Sequence, residues 1–298
     1  MRPGPPWNAA LLVVAALLAV GSHPRARHAG QAEEGRSPSR IVSLVPAVTE
    51  MLFAVGAGPQ VVGVSSFDTY PPDVRTRTRV GALVDPDLER IIALRPDLVV
   101  VYATQQELRQ QLARAGIRMF EYEHGGLSSV ATTLERIGRV AGRPAEAASR
   151  ARAFEERIAA VRARVAGRTR PRTLLVFGRE PLALRNVYAS GGVGFLHDML
   201  VTAGGDNVLA DVARENVQAT SELLLARAPE VIVELRYGRP VSEAELARER
   251  AVWQALPGVP AVRSGRIVLL VGDEFVVPGP RVADAAERLA RALHPRAF

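Results

Sequence analysis

Short apolar runs alternate with amphipathic segments along the chain, and this alternation predicts an α/β fold. The clearest apolar runs have the length of buried strands and lie at residues 41–44, 61–64, 98–101, 117–120, 173–177 and 267–271. Helical periodicity fills intervals between them at residues 87–94, 105–115, 195–203 and 281–293. We expect Pro46 to end the first strand and Thr49 to cap a helix that runs to Gly56. Strands that alternate with helices form parallel sheets covered on both faces.

One long helix is predicted near the middle of the chain. Residues 144–165 contain no glycine and no internal proline, and their large apolar side chains follow a helical spacing. These side chains are Phe154, Ile158, Val161 and Val165. About 22 residues at about 1.5 Å each extend about 33 Å, which is comparable to the width of a domain. We therefore expect two Rossmann-like lobes with parallel sheets, at residues 40–143 and 171–298, joined by one rigid helix at residues 144–166.

A short segment occurs twice and supports the prediction of two similar lobes. DLERIIALRPDLVV at residues 87–100 is matched by TSELLLARAPEVIV at residues 220–233. In both copies a glutamate near the start of a short helix precedes a proline, an acid and an apolar β-branched run. Glu89 and Glu222 are 133 residues apart, as are the two prolines, and this distance is close to the size of one domain. We therefore expect the functional site to lie between the lobes.

The amino terminus has the pattern of an export signal. Arg2 precedes an apolar run at residues 9–20, and no acid occurs before Glu33. About twelve apolar residues are too few to span a bilayer comfortably, so we expect residues 1–29 to be a signal peptide and leader rather than an anchor. The sequence contains no cysteine, which excludes disulfides, thiolate metal sites and the lipid-bearing cysteine of a lipoprotein. A periplasmic protein is the prediction that fits both observations.

The charge pattern is typical of a solvated surface. All 38 basic residues are arginine, and the formal net charge is +7. A basic excess also occurs in proteins that bind nucleic acid, but here the arginines are interleaved with acids, as in residues 150–164. We expect a monomer with no nucleic-acid partner.

The sequence offers little that resembles a catalytic site. It lacks a G-x-S-x-G elbow, an H-E-x-x-H motif and a P-loop. His124 and His197 are either metal ligands or packed side chains, and the glycine-rich residues 191–194 form either a phosphate loop or a turn that begins a helix. We expect a binding protein without a cofactor or a resident metal, rather than an enzyme.

Three segments carry a resemblance to a known family. They read RIVSLVPAVTE at residues 40–50, GVSSFDTYPP at residues 63–72 and DLERIIALRPDLVV at residues 87–100. Over about residues 40–295 the chain resembles the class III periplasmic solute-binding proteins, and within them the vitamin B12-binding receptors of ABC importers. The resemblance implies a ligand in the cleft between two α/β lobes. It also implies that Glu89 and Glu222 dock onto arginines of the membrane permease, whereas the alternative is that each only stabilises the start of its helix.

The resemblance further implies that the cleft binds a cobalamin-like corrinoid. Phe67 stands where these receptors have a contacting tyrosine, and residues 273–277 stand in a contacting loop. The ends of second-lobe strands add candidates, because open α/β sheets bind ligands there. An aromatic content of 5% limits the flat surfaces on which a corrin ring can stack. The predicted ligand-binding residues are Phe67, Tyr70, Phe177, Arg179, Arg236, Tyr237, Asp273, Glu274, Phe275, Val276 and Val277.

Two other functions stay open. Tyr70 either binds haem iron through its phenolate or packs against the adjacent prolines. Arg179 and Arg236 either suit the carboxylates of haem or of a ferric siderophore, or form ordinary salt bridges. Binding of haem or a ferric siderophore for an ABC importer is therefore the first alternative. An exported sensor or enzyme that reuses the fold is the second, because fold does not determine function.

Overall fold

The computed structural model describes residues 37–238 and 241–298, in which a long helix connects two sheets. The predicted signal peptide and leader at residues 1–29 lie outside the described residues. Ser37–Phe298 forms one compact unit. Among the helices of these two ranges, none combines the length and the apolar composition needed to cross a membrane.

The first sheet is wholly parallel, as predicted. Its strands are β1 (Ile41–Ser43), β2 (Val61–Val64), β3 (Thr78–Arg79), β4 (Leu98–Tyr102) and β5 (Met119–Tyr122). They are ordered β3-β2-β1-β4-β5, so the chain begins near the centre of the sheet and extends to both edges. The apolar residues of β1 and the valines of β4 are buried, which is typical of a parallel sheet covered by helices on both faces. The carboxyl ends of these strands therefore share one edge of the sheet.

One of the four helices of the first lobe begins earlier than the sequence predicts. They are α1 (Pro46–Ala54), α2 (Leu88–Ala93), α3 (Gln106–Arg114) and α4 (Ser129–Val140). The prediction that Thr49 caps α1 is wrong, because the helix already begins at Pro46. Proline suits the first helical position, where its φ angle is helical and its missing N–H is not needed. Thr49 is buried, and its hydroxyl donates to the Ser43 hydroxyl at 2.8 Å.

The long helix α5 (Pro144–Val165) has the predicted bounds. Its buried residues recur at intervals of four and three along one face and are Ala147, Ala151, Phe154, Ile158, Val161 and Val165. At Gly138 of α4, a Cβ atom would lie 2.1 Å from the Ala147 Cβ atom. Helices α4 and α5 are therefore packed closely enough to require glycine at this contact.

The second sheet is mixed rather than wholly parallel. Its strands are β6 (Arg172–Gly178), β7 (Tyr188–Ser190), β8 (Asp206–Asn207), β9 (Asn216–Gln218), β10 (Val231–Arg236) and β11 (Ile267–Val271). The order is β11-β10-β6-β7-β9, β8 pairs with β6, and β7 runs antiparallel to both β6 and β9. Only residues 179–187 connect β6 to β7. A parallel crossover needs about a dozen residues or more, so this short connection favours the antiparallel pair.

Helices again surround the second sheet. They are α6 (Phe195–Thr202), α7 (Ser221–Arg227), α8 (Glu243–Ala251), α9 (Pro260–Arg263) and α10 (Val282–Leu293). Short 3-10 helices occur in both lobes at Gly58–Gln60, Pro72–Thr76, Val252–Ala255, Asp273–Phe275 and Pro295–Ala297. The glycine-rich residues 191–194 form a turn that begins α6, and Gly194 has a φ angle of 87° there. Such a positive φ angle favours glycine.

The two copies of the repeat fold alike. In the first copy α2 leads into β4, and in the second α7 leads into β10. Side-chain oxygens of Asp87 and Thr220 each accept a hydrogen bond from the backbone N–H three residues later and so cap the two helices. After the helices, Arg95 and Ala228 occupy matching left-handed conformations, with φ angles of 47° and 46°. The duplication therefore extends to backbone geometry.

The acid that follows the proline in each copy stabilises the first strand of its lobe. Asp97 accepts hydrogen bonds from the N–H groups of Ser39 and Arg40, at 2.7 and 2.9 Å, immediately before β1. Glu230 accepts a hydrogen bond from the N–H of Arg172, the first residue of β6, at 3.1 Å. This acid therefore has the same structural role twice.

One apolar core crosses both lobes. It extends from Ile41 in β1 through Phe154 and Ile158 of α5 to Val233 in β10. Helix α10 packs on both α5 and α6. The lobes are therefore held together by shared packing as well as by the continuous helix.

Candidate functional site

A row of aromatic rings crosses from the first lobe to the second. Tyr102 and Tyr122 are the last residues of β4 and β5, and their ring centroids are 5.8 Å apart. The Tyr122 ring lies 5.9 Å from His124, which lies 5.7 Å from Phe195 at the start of α6. All three contacts are edge to face, which is a favourable ring geometry. The row lies at the carboxyl ends of parallel strands, where open α/β sheets bind ligands.

The two tyrosines of this row are held in their neutral form. Burial, together with the charge of Asp68, raises the pKa of Tyr102 to about 12. Burial also raises the pKa of Tyr122, with further contributions from Tyr102 and from the Glu215 carboxylate. At neutral pH both phenols are therefore uncharged; Tyr102 is half-buried, whereas Tyr122 is buried.

A cavity of about 370 Å³ opens beside Phe195. It is lined by strand ends and loops of the second lobe, namely Phe177, Val193, Gly194, Phe195, Leu196, Glu215, Asn216, Tyr237 and Val276. The ring of Tyr188 lies 6.5 Å from that of Phe177. Tyr237 is 51% exposed, so its ring is accessible to a ligand. We call this cavity together with the aromatic row the cleft site.

Polar contacts fix the two lobes on each other around the cleft site. The N–H of Leu127 donates to Asp198 of α6 at 2.8 Å. The Thr69 hydroxyl donates to one carboxylate oxygen of Asp273 at 2.9 Å, and the Gly238 N–H donates to the other at 2.8 Å. Asp273 therefore ties a first-lobe loop to the loop that follows β10.

Tyr70 lies in a different cavity, of about 450 Å³, formed by α1, α5 and the start of α10. The Arg281 guanidinium lies 4.0 Å from the centroid of the Tyr70 ring and pairs with Glu50 at 2.5 and 3.1 Å. Burial raises the pKa of Glu50, although the hydrogen bond and charge of Arg281 act in the opposite direction. None of the residues that line this cavity also lines the cleft site's cavity.

Asp68, which follows the exposed Phe67 in sequence, has a buried carboxyl group. It is 2% exposed, and its carboxylate accepts a hydrogen bond from the Ser65 N–H at 2.7 Å. Burial raises the pKa of Asp68 to about 6, against the opposing effects of hydrogen bonds and of Arg79. This carboxyl group therefore titrates near neutral pH.

Some predicted ligand-binding residues do lie together. Phe177, Tyr237 and Val276 line the cleft site's cavity. Val277, the next residue after Val276, is partly buried against the apolar core. Phe67 is 68% exposed on the loop that contacts Asp273 through Thr69. Their contact with a ligand stays a prediction.

Two predicted contacts are not on the cleft surface. The Arg179 side chain is fully buried and pairs with Glu234 at 3.1 Å and Glu249 at 2.8 Å. Glu234 also accepts a hydrogen bond from the Trp253 indole at 2.9 Å. Phe275 is 0% exposed and packs in the apolar core. The expectation that Arg179 and Phe275 face the ligand is corrected, since Glu234 inside β10 needs a buried cation and the ring of Phe275 fills the core.

Two more predicted contacts are already engaged in ion pairs. Arg236 pairs with Glu234 at 3.0 Å and with Glu249 at 2.5 Å. Glu274 pairs with Arg281 at 3.6 Å and with Arg288. These side chains stabilise loops at the site, and the ordinary salt-bridge interpretation describes the arginine contacts in the structure.

The predicted ligand-binding residues include no member of the aromatic row, namely Tyr102, Tyr122, His124 and Phe195, and they do not include the neighbouring Glu215. The available signal was a tyrosine one or two residues after each of the two predicted strands at residues 98–101 and 117–120. The His197 Nδ1 atom lies 3.1 Å from the Asn207 Nδ2 atom. Within the described ranges, no group of three or more histidine, cysteine, aspartate or glutamate side chains could hold a metal ion.

Glu89 and Glu222 occupy the same exposed position, as the second residue of α2 and of α7. The side-chain caps come from Asp87 and Thr220 instead. Hydrogen bonds from its own N–H and from the Thr220 hydroxyl lower the pKa of Glu222, so this carboxylate stays ionised. In the part of the chain that the structure describes, neither glutamate forms a salt bridge.

Comparison with known proteins agrees with this architecture. The sequence model of the family described as periplasmic binding protein matches residues 41–273. A vitamin B12-binding protein of Salmonella typhimurium is 33% identical over 256 residues, which cover 85% of this chain and 90% of that protein.

Solved structures show the same fold. The periplasmic vitamin B12 binding protein BtuF of Vibrio cholerae has a TM-score of 0.73 at 25% identity, covering 87% of this chain and 98% of that chain. The periplasmic haem-binding protein RhuT of Roseiflexus sp. RS-1 has a TM-score of 0.73 at 26% identity, covering 89% and 100%. The resemblance carried by the three sequence segments is confirmed, and the chain belongs to the periplasmic binding protein family.

Proposed function

We propose that this protein captures a cobalamin-like corrinoid in the cleft site and delivers it to the permease of an ABC importer. The observation that carries the proposal is the row of rings from Tyr102 to Phe195, which continues into a cavity bounded by Phe177 and Tyr237. Aromatic faces and apolar walls suit a large, flat ring system. Relatives named for vitamin B12 binding support the same ligand class.

The low aromatic content does not weaken this proposal. Aromatic side chains from both lobes lie near the cleft site, with Tyr102 and Tyr122 from the first lobe and Phe177, Tyr188 and Phe195 from the second. The neutral hydroxyl of the half-buried Tyr102 is suited to the amide side chains of a corrinoid, because a phenol both donates and accepts hydrogen bonds.

Haem or a ferric siderophore is the second candidate ligand. The presence of Tyr70 in a cavity beside the Arg281 guanidinium favours it, because a tyrosine oxygen can bind haem iron. The similarity to a haem-binding protein supports it as well. However, Tyr70 lines a different cavity from the one lined by Phe177 and Tyr237.

We also propose that the protein binds its ligand without catalysing a reaction, and that residues 1–29 direct its export. Membership of a periplasmic binding protein family supports both. The second class of function is an exported sensor that uses the same fold. A genome in which the gene adjoins no permease or ATPase gene would favour that sensor.

Docking to the permease through Glu89 and Glu222 completes the proposal. Reversing both charges, by Glu89→Arg with Glu222→Arg, is expected to leave ligand capture intact and to abolish stimulation of uptake. A matched control reverses two exposed first-turn glutamates outside the repeat, by Glu146→Arg with Glu243→Arg. Normal uptake with the first variant would show that these glutamates do not dock.

The ligand itself is tested by mass spectrometry of small molecules that copurify with the protein, followed by thermal-shift measurements with cyanocobalamin, haemin and a ferric siderophore. The proposal predicts a copurifying corrinoid and the largest increase in melting temperature with cyanocobalamin. Stabilisation by haemin and not by cyanocobalamin would identify haem, the second candidate, as the ligand.

A further inference from the structure

The repeated helices α2 and α7 expose the same types of side chain at matching positions. In the first lobe, Glu89, Ile92 and Ala93 are exposed. The corresponding exposed residues of the second lobe are Glu222, Leu225 and Ala226. Ile92 is 44% exposed and Leu225 is 46% exposed, so two large aliphatic side chains face solvent at equivalent places.

Helix geometry makes each set one continuous patch. Residues three and four positions apart lie on the same helix face, with about 5–6 Å between their Cβ atoms. Ile91 and Leu224, which precede the exposed aliphatic residues, are buried and fix how each helix is rotated on its lobe. We call Glu89, Ile92 and Ala93 the first docking patch, and their second-lobe counterparts the second docking patch.

A single exposed aliphatic residue is ordinary on a protein surface, so exposure alone does not indicate a binding site. The neighbouring exposed or half-exposed positions differ between the copies, since Leu88 corresponds to Ser221 and Arg90 corresponds to Leu223. The buried residue of each helix already supplies its anchorage. What the two lobes share on their surface is a glutamate, a branched aliphatic residue and an alanine.

We propose that the aliphatic residue of each docking patch contacts apolar side chains of the permease, beside the arginine that pairs with the patch glutamate. This inference rests on the proposed delivery to an importer. The aliphatic side chain excludes water from one side of the ion pair, and apolar neighbours of this kind strengthen the central contacts of an interface. The alanine leaves room for the partner to approach closely.

A second copy of this chain is the poorer occupant on grounds of charge. If the patches of two copies met, their glutamates would lie close to each other, and like charges in an interface are unfavourable. A partner with paired basic and apolar surfaces, repeated once for each lobe, satisfies both patches together.

The test compares binding to the purified importer, permease and ATPase together, held in lipid nanodiscs. The protein carries Ile92→Ser with Leu225→Ser, and the control carries Val201→Ser, an exposed aliphatic residue of α6 outside the repeat. We expect the double variant to bind the importer about tenfold more weakly, while the control binds normally. Affinity for cyanocobalamin and melting temperature should be unchanged in both.

Each outcome is informative. Normal importer binding by the serine double variant, with binding abolished by Glu89→Arg and Glu222→Arg, overturns this inference and leaves the proposed function intact. Failure of the unmodified protein to bind the importer contradicts the proposed function itself. A dimer in light scattering that the serine variant converts to a monomer would assign the patches to self-association and overturn the inference.

Discussion

The Phe67 ring is the clearest single-residue test of the ligand site. It is 68% exposed, and its loop is fixed to the second lobe by the hydrogen bond from Thr69 to Asp273. We predict that Phe67→Ala weakens ligand binding by about 1–3 kcal/mol, the scale of burying one large apolar side chain. Calorimetric titration measures this loss, and Phe67→Tyr, which retains the ring, is the control. Unchanged affinity with a lowered melting temperature would identify Phe67 as a packing residue.

The buried ion pairs of Arg179 predict a stability effect rather than a direct binding effect. Arg179→Ala would remove the fully buried cation that pairs with both Glu234 and Glu249 and would leave Arg236 as their remaining partner. Removing one partner of a buried pair typically costs about 3–5 kcal/mol. Arg185→Ala is the matched control, because Arg185 is exposed and its pair with Glu180 is worth about 1 kcal/mol or less. Urea unfolding compares the two variants. Equal stabilities would contradict the structural role assigned to Arg179.

The buried Asp68 predicts a pH dependence of stability. Its pKa is about 6 in the folded protein against an ordinary value of 3.8, so the folded state disfavours its ionisation. Its favourable contribution is therefore complete below about pH 4 and is lost as the pH rises through about 6. Relative to Asp68→Asn, the unmodified protein should lose about 2–3 kcal/mol of unfolding free energy across this interval. The measurement is urea unfolding of both proteins at several pH values. If their unfolding free energies change with pH in the same way, Asp68 does not have the raised pKa assigned to it.

At the scale of elements, helix α5 predicts that the lobes move little. Its uninterrupted turns pack on α4 and α10, and polar contacts such as Leu127 with Asp198 hold the lobes near the cleft. Large domain closure normally uses a loop hinge. We expect the radius of gyration to be nearly the same with and without ligand. A decrease of several per cent in small-angle scattering, about what a hinge closure produces, would contradict this rigidity.

Elements with strong local signals were predictable from the sequence. The bounds of α5 and β11 agree with prediction because unbroken helical periodicity and a buried apolar run mark them. Antiparallel β7 was missed because its three residues depend on pairing with distant strands rather than on a local pattern. The capping of α1 was wrong because two rules competed, and proline at the first turn prevailed over threonine.

The site was less predictable than the fold. Tyr102 and Tyr122 end the two strands of one strand–helix–strand unit, and the pairing of β4 with β5 makes them neighbours. Arg179 follows the end of a strand in the sequence, as a ligand-binding residue would, but it forms a buried ion pair with Glu234 of β10. Which polar side chains face a cleft depends on such partners, and a single sequence does not reveal them.

At the scale of the whole molecule, the structure combines the proposed ligand site, the cleft site, with one exposed patch on each lobe. The shared core and α5 keep the patches at a fixed separation. Under the proposed function, a rigid receptor would present its ligand and both docking patches to the importer in one orientation. Both lobes would then serve recognition by the partner as well as capture of the ligand.

Isothermal titration of the purified, ligand-free protein with cyanocobalamin tests the central claim most directly. The account predicts saturable binding of one corrinoid per chain, with weaker binding to a variant in which Tyr237 of the cleft site is replaced by alanine. Absence of heat and of thermal stabilisation at saturating cyanocobalamin, from protein shown to be folded, would contradict it.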